Sequence, residues 1–294
     1  MLKTETPSST HTALDDYPTD QLVHSFVDDQ LNAARAVQAV SAQLASAVDA
    51  AVPRLTDGGR LIYVGAGTSG RLGLLDSVEL YPTFSWPRER AVALLAGGSQ
   101  AVYQAVEGAE DNFEQGAADI AATHPAALDV VLLLAASGAT PYVMGALAAA
   151  RKAGALTIGI ANNPAAPLTL QADIGITLDT GPELISGSTR LKAGTAQKIA
   201  LNTFSSSVMV RLNKVYGNLM VDLQPTNAKL MRRSIALTVL ATGASDAAAR
   251  AMLDLSGYQI KVAIVALKKG VSVAQARQLL EHTQGSVRRA VSGQ

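Results

Sequence analysis

From residue 19 to residue 52, apolar side chains recur at helical spacing: Leu22, Phe26, Leu31, Ala34, Val37, Leu44, Val48 and Val52. That period predicts one long amphipathic helix, broken at most once, with an apolar stripe suited to a partner subunit. Residues 1–18 are polar and rich in turn formers, and read as an extended arm with no obvious partner inside the chain. Beyond residue 52 the pattern changes. Short apolar runs at 60–65 (RLIYVG), 91–96 (AVALLA), 130–135 (VVLLLA), 156–160 (LTIGI) and 174–178 (IGITL) read as buried strands. Helical segments at 69–80, 100–121, 141–153 and 192–212 separate most of them. Strands apolar on both faces, joined by helical crossovers, imply a parallel sheet covered on both sides, a three-layer α/β/α sandwich. After Asn227 the strands stop, and Gly243, Gly257, Gly270 and Gly285 punctuate short helices, with Ser245-Asp246 as a helix start. The organisation expected is an arm and long helix over 1–52, a sheet domain over 53–227 and a small helical subdomain over 228–294.

Composition narrows the chemistry. Lys+Arg and Asp+Glu are both 24, so no basic excess points to nucleic acid. There is no cysteine, which excludes disulfides, thiolate nucleophiles and cysteine-held zinc. His11, His24, His124 and His282 have no metal-ligand spacing and read as surface or satisfied core residues. The first residues lack the apolar core of a signal peptide, and no run of eighteen apolar residues occurs, so the expectation is a soluble cytoplasmic protein.

Two loops share one design. Gly65-Ala66-Gly67-Thr68-Ser69-Gly70 follows a strand and opens a helix. It fits the dinucleotide pattern GxGxxG, but the next strand ends Ala96-Gly97-Gly98-Ser99, without the acid that holds a ribose. What remains is an anion cradle of helix-terminal N–H groups with the Thr68 and Ser69 hydroxyls. Ala136-Ser137-Gly138-Ala139-Thr140 repeats the arrangement after another strand, and two such loops at one sheet edge converge on one phosphate. Either loop alone is explained as an ordinary helix cap. A third stretch, Gly187 to Thr195 with Ser188, Arg190 and Lys192 ahead of a long helix, suits a further anion or sugar hydroxyl, and equally a solvated basic turn.

Carboxylates complete the candidates. Glu79 ends the helix after the first cradle, where apolar Leu80, Tyr81 and Phe84 predict desolvation of its carboxyl group. Glu107, Glu110 and Asp111 fall in the helix after the second strand. Taken singly, each is as readily an ordinary exposed helix acid.

The blocks GGRLIYVGAGTSGRLGLLDSVE, AVEGAEDN, ASGATPYVMGAL, GSTRLKAGTAQK and NLMVDLQPTNAKL occur in that order. With them the chain resembles the N-acetylmuramic acid 6-phosphate etherases, bacterial enzymes of the sugar-isomerase (SIS) fold. The resemblance implies cleavage of the D-lactyl ether of N-acetylmuramic acid 6-phosphate to N-acetylglucosamine 6-phosphate and D-lactate, in cell-wall amino-sugar recycling. It implies no metal or redox cofactor, Glu79 and Glu110 as the acid–base pair, and phosphate held by Ser69 and Ser137 with Thr68 and Thr140. It also implies a homodimer with the site near the subunit interface and a ubiquitin-associated-like C-terminal appendage. Ala139 stands where the family usually has Arg, and Thr4-Glu5-Thr6-Pro7 where it opens TE-x-RNP. Around the catalytic acid, Val78-Glu79-Leu80-Tyr81 replaces the usual Ser-Glu-Cys-Pro. Two other classes share the fold: a sugar-phosphate isomerase, and a non-catalytic sugar-phosphate sensor.

Overall fold

The computed structural model describes residues 1–225 and 227–293. In chain order these form α1 (Thr19–Ala39), α2 (Ser41–Thr56), β1 (Leu61–Gly65), α3 (Gly67–Phe84), β2 (Ala91–Leu95), α4 (Phe113–Ala122), β3 (Val130–Leu134), α5 (Pro141–Lys152), β4 (Leu156–Ala161), α6 (Pro167–Gln171), β5 (Ile174–Thr177) and α7 (Lys192–Arg211). The short strands β6 (Val215–Tyr216) and β7 (Leu219–Met220) follow, then α8 (Ala228–Thr242), α9 (Asp246–Ser256), α10 (Ile260–Lys269), α11 (Val273–His282) and α12 (Val287–Ser292). Two compact units divide the chain: Met1–Val78 with Arg88–Ser205, and Glu79–Pro87 with Ser206–Gln294.

The five apolar runs all become strands of one parallel sheet in the order β2-β1-β3-β4-β5. Every residue of β1 and β3 is buried, as a sheet covered on both faces requires. On one face Ile62, Val64, Val131 and Leu133 pack with Ile120 of α4 and Tyr142, Val143, Ala146 and Leu147 of α5. On the other face Tyr63 lies beneath α3 and donates its hydroxyl to Asp76 (2.9 Å). Asn202 and Ser205 of α7 donate to the other oxygen of the same carboxylate (2.6 and 3.1 Å). Burial raises the Asp76 pKa above the ordinary carboxylate range, although these donors favour its charged form.

Several boundaries differ from the sequence pattern. The first helix divides at Val40, whose φ of −108° and ψ of 19° end α1 and begin α2. The helix expected over 100–121 is two 3₁₀ turns (Gly98–Val102 and Ala109–Asp111) before α4. Gly108 interrupts it with a left-handed φ of 70°. Helix α3 does not end at Glu79 but runs to Phe84 with Pro82 inside it, giving up one backbone hydrogen bond. The arm also has intrachain partners, among them Asn163 and Gly187 for Thr4.

In the second unit, Ile235, Leu253, Ile264 and Val265 form the core of α8–α12. Gly243, Gly257 and Gly270 close α8, α9 and α10 in the left-handed conformation, and Ser245 caps α9 by accepting from the Ala248 amide (3.2 Å). The antiparallel β6–β7 hairpin around Gly217-Asn218 had no sequence expectation, since two-residue strands leave no alternation to read. Contact between residues defines this unit from Ser206, inside the continuous α7, whereas composition changes only near residue 227.

Candidate functional site

Strand order reverses between β1 and β3: β2 lies on one side of β1 and β3 on the other. At such a switch point the loops leaving adjacent strands run apart and open a crevice at the carboxyl edge of the sheet. A cavity of about 470 Å³ lies there, within the first unit. From the loop after β1 it is lined by Gly67, Thr68 and Ser69, and from the loop after β3 by Ser137, Ala139 and Thr140.

Local geometry prepares both loops to meet an anion. Gly67 adopts a φ of 53° as it starts α3, and the tight return brings Gly70 onto β1: a Cβ there would stand 2.6 Å from the Gly65 carbonyl oxygen. The residues that open α3, Gly67, Thr68 and Ser69, line the crevice, and the first amides of a helix lack helical acceptors. In the other loop, Gly138 has a φ of 70° and a Cβ there would meet that of Ala166 at 2.3 Å. Its role is to shape the turn, and it is not on the cavity wall. The Ser137 hydroxyl accepts from the Ala139 amide (3.2 Å) and lies 3.4 Å from the Thr140 hydroxyl, while Pro141 occupies the first turn of α5, where its missing N–H costs nothing.

Acidic groups share the wall. Glu110 and Asp111 reach it from the 3₁₀ turn before α4, and Asn112 anchors that turn by capping α4 through the Gln115 amide (2.9 Å). The arm contributes Leu2, Thr4 and Glu5, and the loop ahead of α7 contributes Gly187 and Thr189. The cavity thus joins N–H and hydroxyl donors, suited to an anion, with carboxylates suited to proton transfer.

Other expected site residues lie elsewhere. Ser188 and Lys192 are off the wall, although their neighbours Gly187 and Thr189 are on it. Lys192 is buried, and its ammonium pairs with Asp29 of α1 at 2.6 Å. The start of α7 already holds an anion of its own: Glu183, fully buried, accepts from the Lys192 and Ala193 amides (3.2 and 2.9 Å). Burial raises the Glu183 pKa, opposed by those two bonds. Glu79 is exposed and not among the lining residues. Its neighbour Leu80 is 3% exposed, because successive helix residues point about 100° apart, so apolar sequence neighbours do not bury a helical carboxylate.

Sequence reasoning missed Thr4 and Glu5 on the wall and Asn163 behind it. Thr4-Glu5 stands at the TE-x-RNP opening noted above but was given no place at the site, and Asn163 had only the faint signal of two asparagines at the end of β4.

Known proteins extend these observations. Residues 43–151 match the model of the glucokinase regulatory protein N-terminal SIS domain, and residues 113–207 match the SIS domain model. The chain is 56% identical to an N-acetylmuramic acid 6-phosphate etherase of Deinococcus radiodurans, across 98% of this chain and 95% of that one. It is 45% identical to one of Serratia proteamaculans over 99% and 98% of the two chains, and 48% identical to one of Enterobacter sp. (strain 638) over 95% and 94%.

Proposed function

Since this chain belongs to the N-acetylmuramic acid 6-phosphate etherase family, we infer that it cleaves the D-lactyl ether of N-acetylmuramic acid 6-phosphate, releasing N-acetylglucosamine 6-phosphate and D-lactate. The observation that carries this reading is full-length similarity to etherases combined with a switch-point cavity holding both anion donors and Glu110.

The chemistry asks little beyond what such a cavity offers. Opening of the sugar ring gives an aldehyde that acidifies the neighbouring C–H. A base takes that proton, lactate leaves from the next carbon as its oxygen is protonated, and water then adds across the double bond. Ser69, Ser137, Thr68 and Thr140, with the first amides of α3, hold the phosphate and fix the sugar's position. Glu110 and Glu79 divide the acid–base work. Glu110 acts from the cavity wall, while the part of Glu79, which lies outside that wall, rests on the family resemblance alone. A carboxylate serves as base when ionised and as acid when protonated, so a pair completes the cycle without a metal.

The working form in this reading is a cytoplasmic homodimer with its site near the subunit interface. Val23, Val27 and Leu31 support it: they lie one turn apart along α1 and are 57%, 63% and 52% exposed. Among the described residues, no helix is long and apolar enough to cross a membrane.

The decisive experiment is incubation with N-acetylmuramic acid 6-phosphate while lactate is assayed. Release of D-lactate with N-acetylglucosamine 6-phosphate is expected, and isomerisation or bare binding without lactate would refute the reading. In the same preparation, N-acetylglucosamine 6-phosphate is expected to raise the melting temperature and NAD is not. Light scattering at micromolar concentration is expected to give twice the monomer mass.

A further inference from the structure

The wall of the cavity that belongs to the N-terminal arm is built with more care than a surface arm requires. An irregular polar segment is poorly ordered unless tied down. Here Thr4 is 1% exposed in a segment that is otherwise mostly exposed. Its amide donates to Asn163 Oδ1 (3.3 Å), and its hydroxyl oxygen accepts from Asn163 Nδ2 (3.1 Å). Its carbonyl accepts from the Gly187 amide (3.0 Å). Asn163 is 2% exposed and donates in addition to the Ala136 carbonyl (2.8 Å).

One buried carboxamide therefore fastens the arm to the loop after β3, and Gly187 fastens the arm to the loop before α7. Ala136 and Gly187 both line the cavity, so these bonds set three of its walls against one another. Flanking ties repeat the pattern. Lys3 pairs with Asp179 (2.6 Å), and the Ser186 hydroxyl donates to the Glu5 carbonyl (2.6 Å).

The result is to hold Glu5 among the lining residues of a cavity whose other groups suit a phosphate. A carboxylate repels that dianion, so what it can hold there is a neutral hydrogen-bond donor. A phosphorylated amino sugar offers two kinds, hydroxyl groups and the amide N–H.

We propose that the N-terminal arm is a wall of the active site, latched by the Thr4–Asn163 pair, and that Glu5 is a specificity-determining residue accepting a hydrogen bond from a hydroxyl or amide N–H of the phosphosugar. This rests on the reading of the cavity as a phosphosugar site. Thr4 and Asn163 are positioning residues: they act through Glu5 and through the alignment of the walls.

The test compares wild type with Glu5→Ala, Thr4→Val and Thr4→Ser. A hydrogen bond to a charged acceptor corresponds to roughly a 10- to 100-fold change in affinity. Glu5→Ala is expected to raise KM for N-acetylmuramic acid 6-phosphate by about that factor, with kcat within about threefold, the pattern of lost ground-state binding. Thr4→Val, which keeps shape but not the acceptor, is expected to raise KM in the same direction, and Thr4→Ser to restore it. Affinity for inorganic phosphate should not fall in any of the three variants.

Unchanged KM in both Glu5→Ala and Thr4→Val overturns the proposal. So does a loss of inorganic phosphate binding equal to the loss of substrate binding, because the arm would then serve general folding. If wild type itself releases no lactate, the etherase reading fails, and calorimetric binding of N-acetylglucosamine 6-phosphate to the same variants still decides. Weaker binding by Glu5→Ala upholds the arm's role, and equal binding overturns it.

Discussion

The two edges of the parallel sheet are built from opposite materials. At the carboxyl edge the loops after β1 and β3 are Gly, Ser, Thr and Ala, with exposed carboxylates nearby. At the amino edge the same two strands are stapled by Arg60 and Asp129, the residues immediately before them. Arg60 Nε donates to Asp129 Oδ1 (3.1 Å) and Arg60 Nη2 to Oδ2 (2.6 Å), while the Arg60 and Ala126 amides also donate to that carboxylate (both 2.9 Å). Arg90, just before β2, extends the staple by donating from Nε to the Gly59 carbonyl (3.0 Å). Burial works to raise the Asp129 pKa, but the bonds from Arg60 and the two amides outweigh it and hold the carboxyl below its ordinary range. One edge pairs Arg60 and Asp129 with each other, and the other keeps donors and acids facing a cavity. Stability and chemistry are thus separable along a single strand, a distance of about five residues.

That separation can be broken from either side. Replacing Glu110 or Glu79 by Gln keeps shape and removes the titrating proton, so kcat is expected to fall by roughly 10²–10⁴-fold, with the melting temperature nearly unchanged. Lactate assays and calorimetry on the same samples check it, and wild-type lactate release by either variant removes that residue from the mechanism. Asp129→Ala should do the converse. It leaves Arg60 without its partner and is expected to cost about 3–5 kcal/mol of stability, read by urea titration, while kcat per folded molecule is kept.

Smaller changes sharpen the contrast. Ser137→Ala removes one donor from the anion cradle and is expected to raise KM about tenfold, with little change in denaturation midpoint. The smallest effect concerns pH. Asp76 and Glu183 have raised pKa values, so between the ordinary carboxylate range and those raised values the native state binds more protons than the unfolded chain. Stability should therefore decline as pH rises through that window, and Asp76→Asn should flatten part of the decline. Asp129 has the opposite sign: its contribution is present above the unfolded pKa and is lost as pH falls through its lowered value. Asp129→Ala should remove that acid limb alone.

The sheet was legible because a parallel strand buried on both faces must be apolar throughout, as VVLLL in β3 is. The two loops drew notice because each pairs glycine with serine or threonine between a strand and a helix, an arrangement that taken singly also fits a helix cap. Legibility ended where meaning depends on distant partners. Lys192 looks like an anion ligand until Asp29, far away in sequence, takes its charge, and the start of α7 looks open until Glu183 fills it. Glu79 looked buried from its neighbours because a linear string does not show which way a helix turns each side chain. The arm looked free because its polar residues give no period, and its counterpart at Asn163 sits in a second Asn of Asn162-Asn163 with no signal of its own.

The latch between Thr4 and Asn163 spans 159 residues, and the Lys3–Asp179 pair spans 176. Closure entropy grows only slowly with loop length, but pairings of such long sequence separation form late. During synthesis, at 5–20 residues per second, the arm leaves the ribosome roughly 10–30 s before the residues that will fasten it. The arm is made before the residues that fasten it but is set in place after them, and the cavity acquires that wall only after the sheet behind it exists. In refolding, return of activity should therefore trail return of the helical circular dichroism signal.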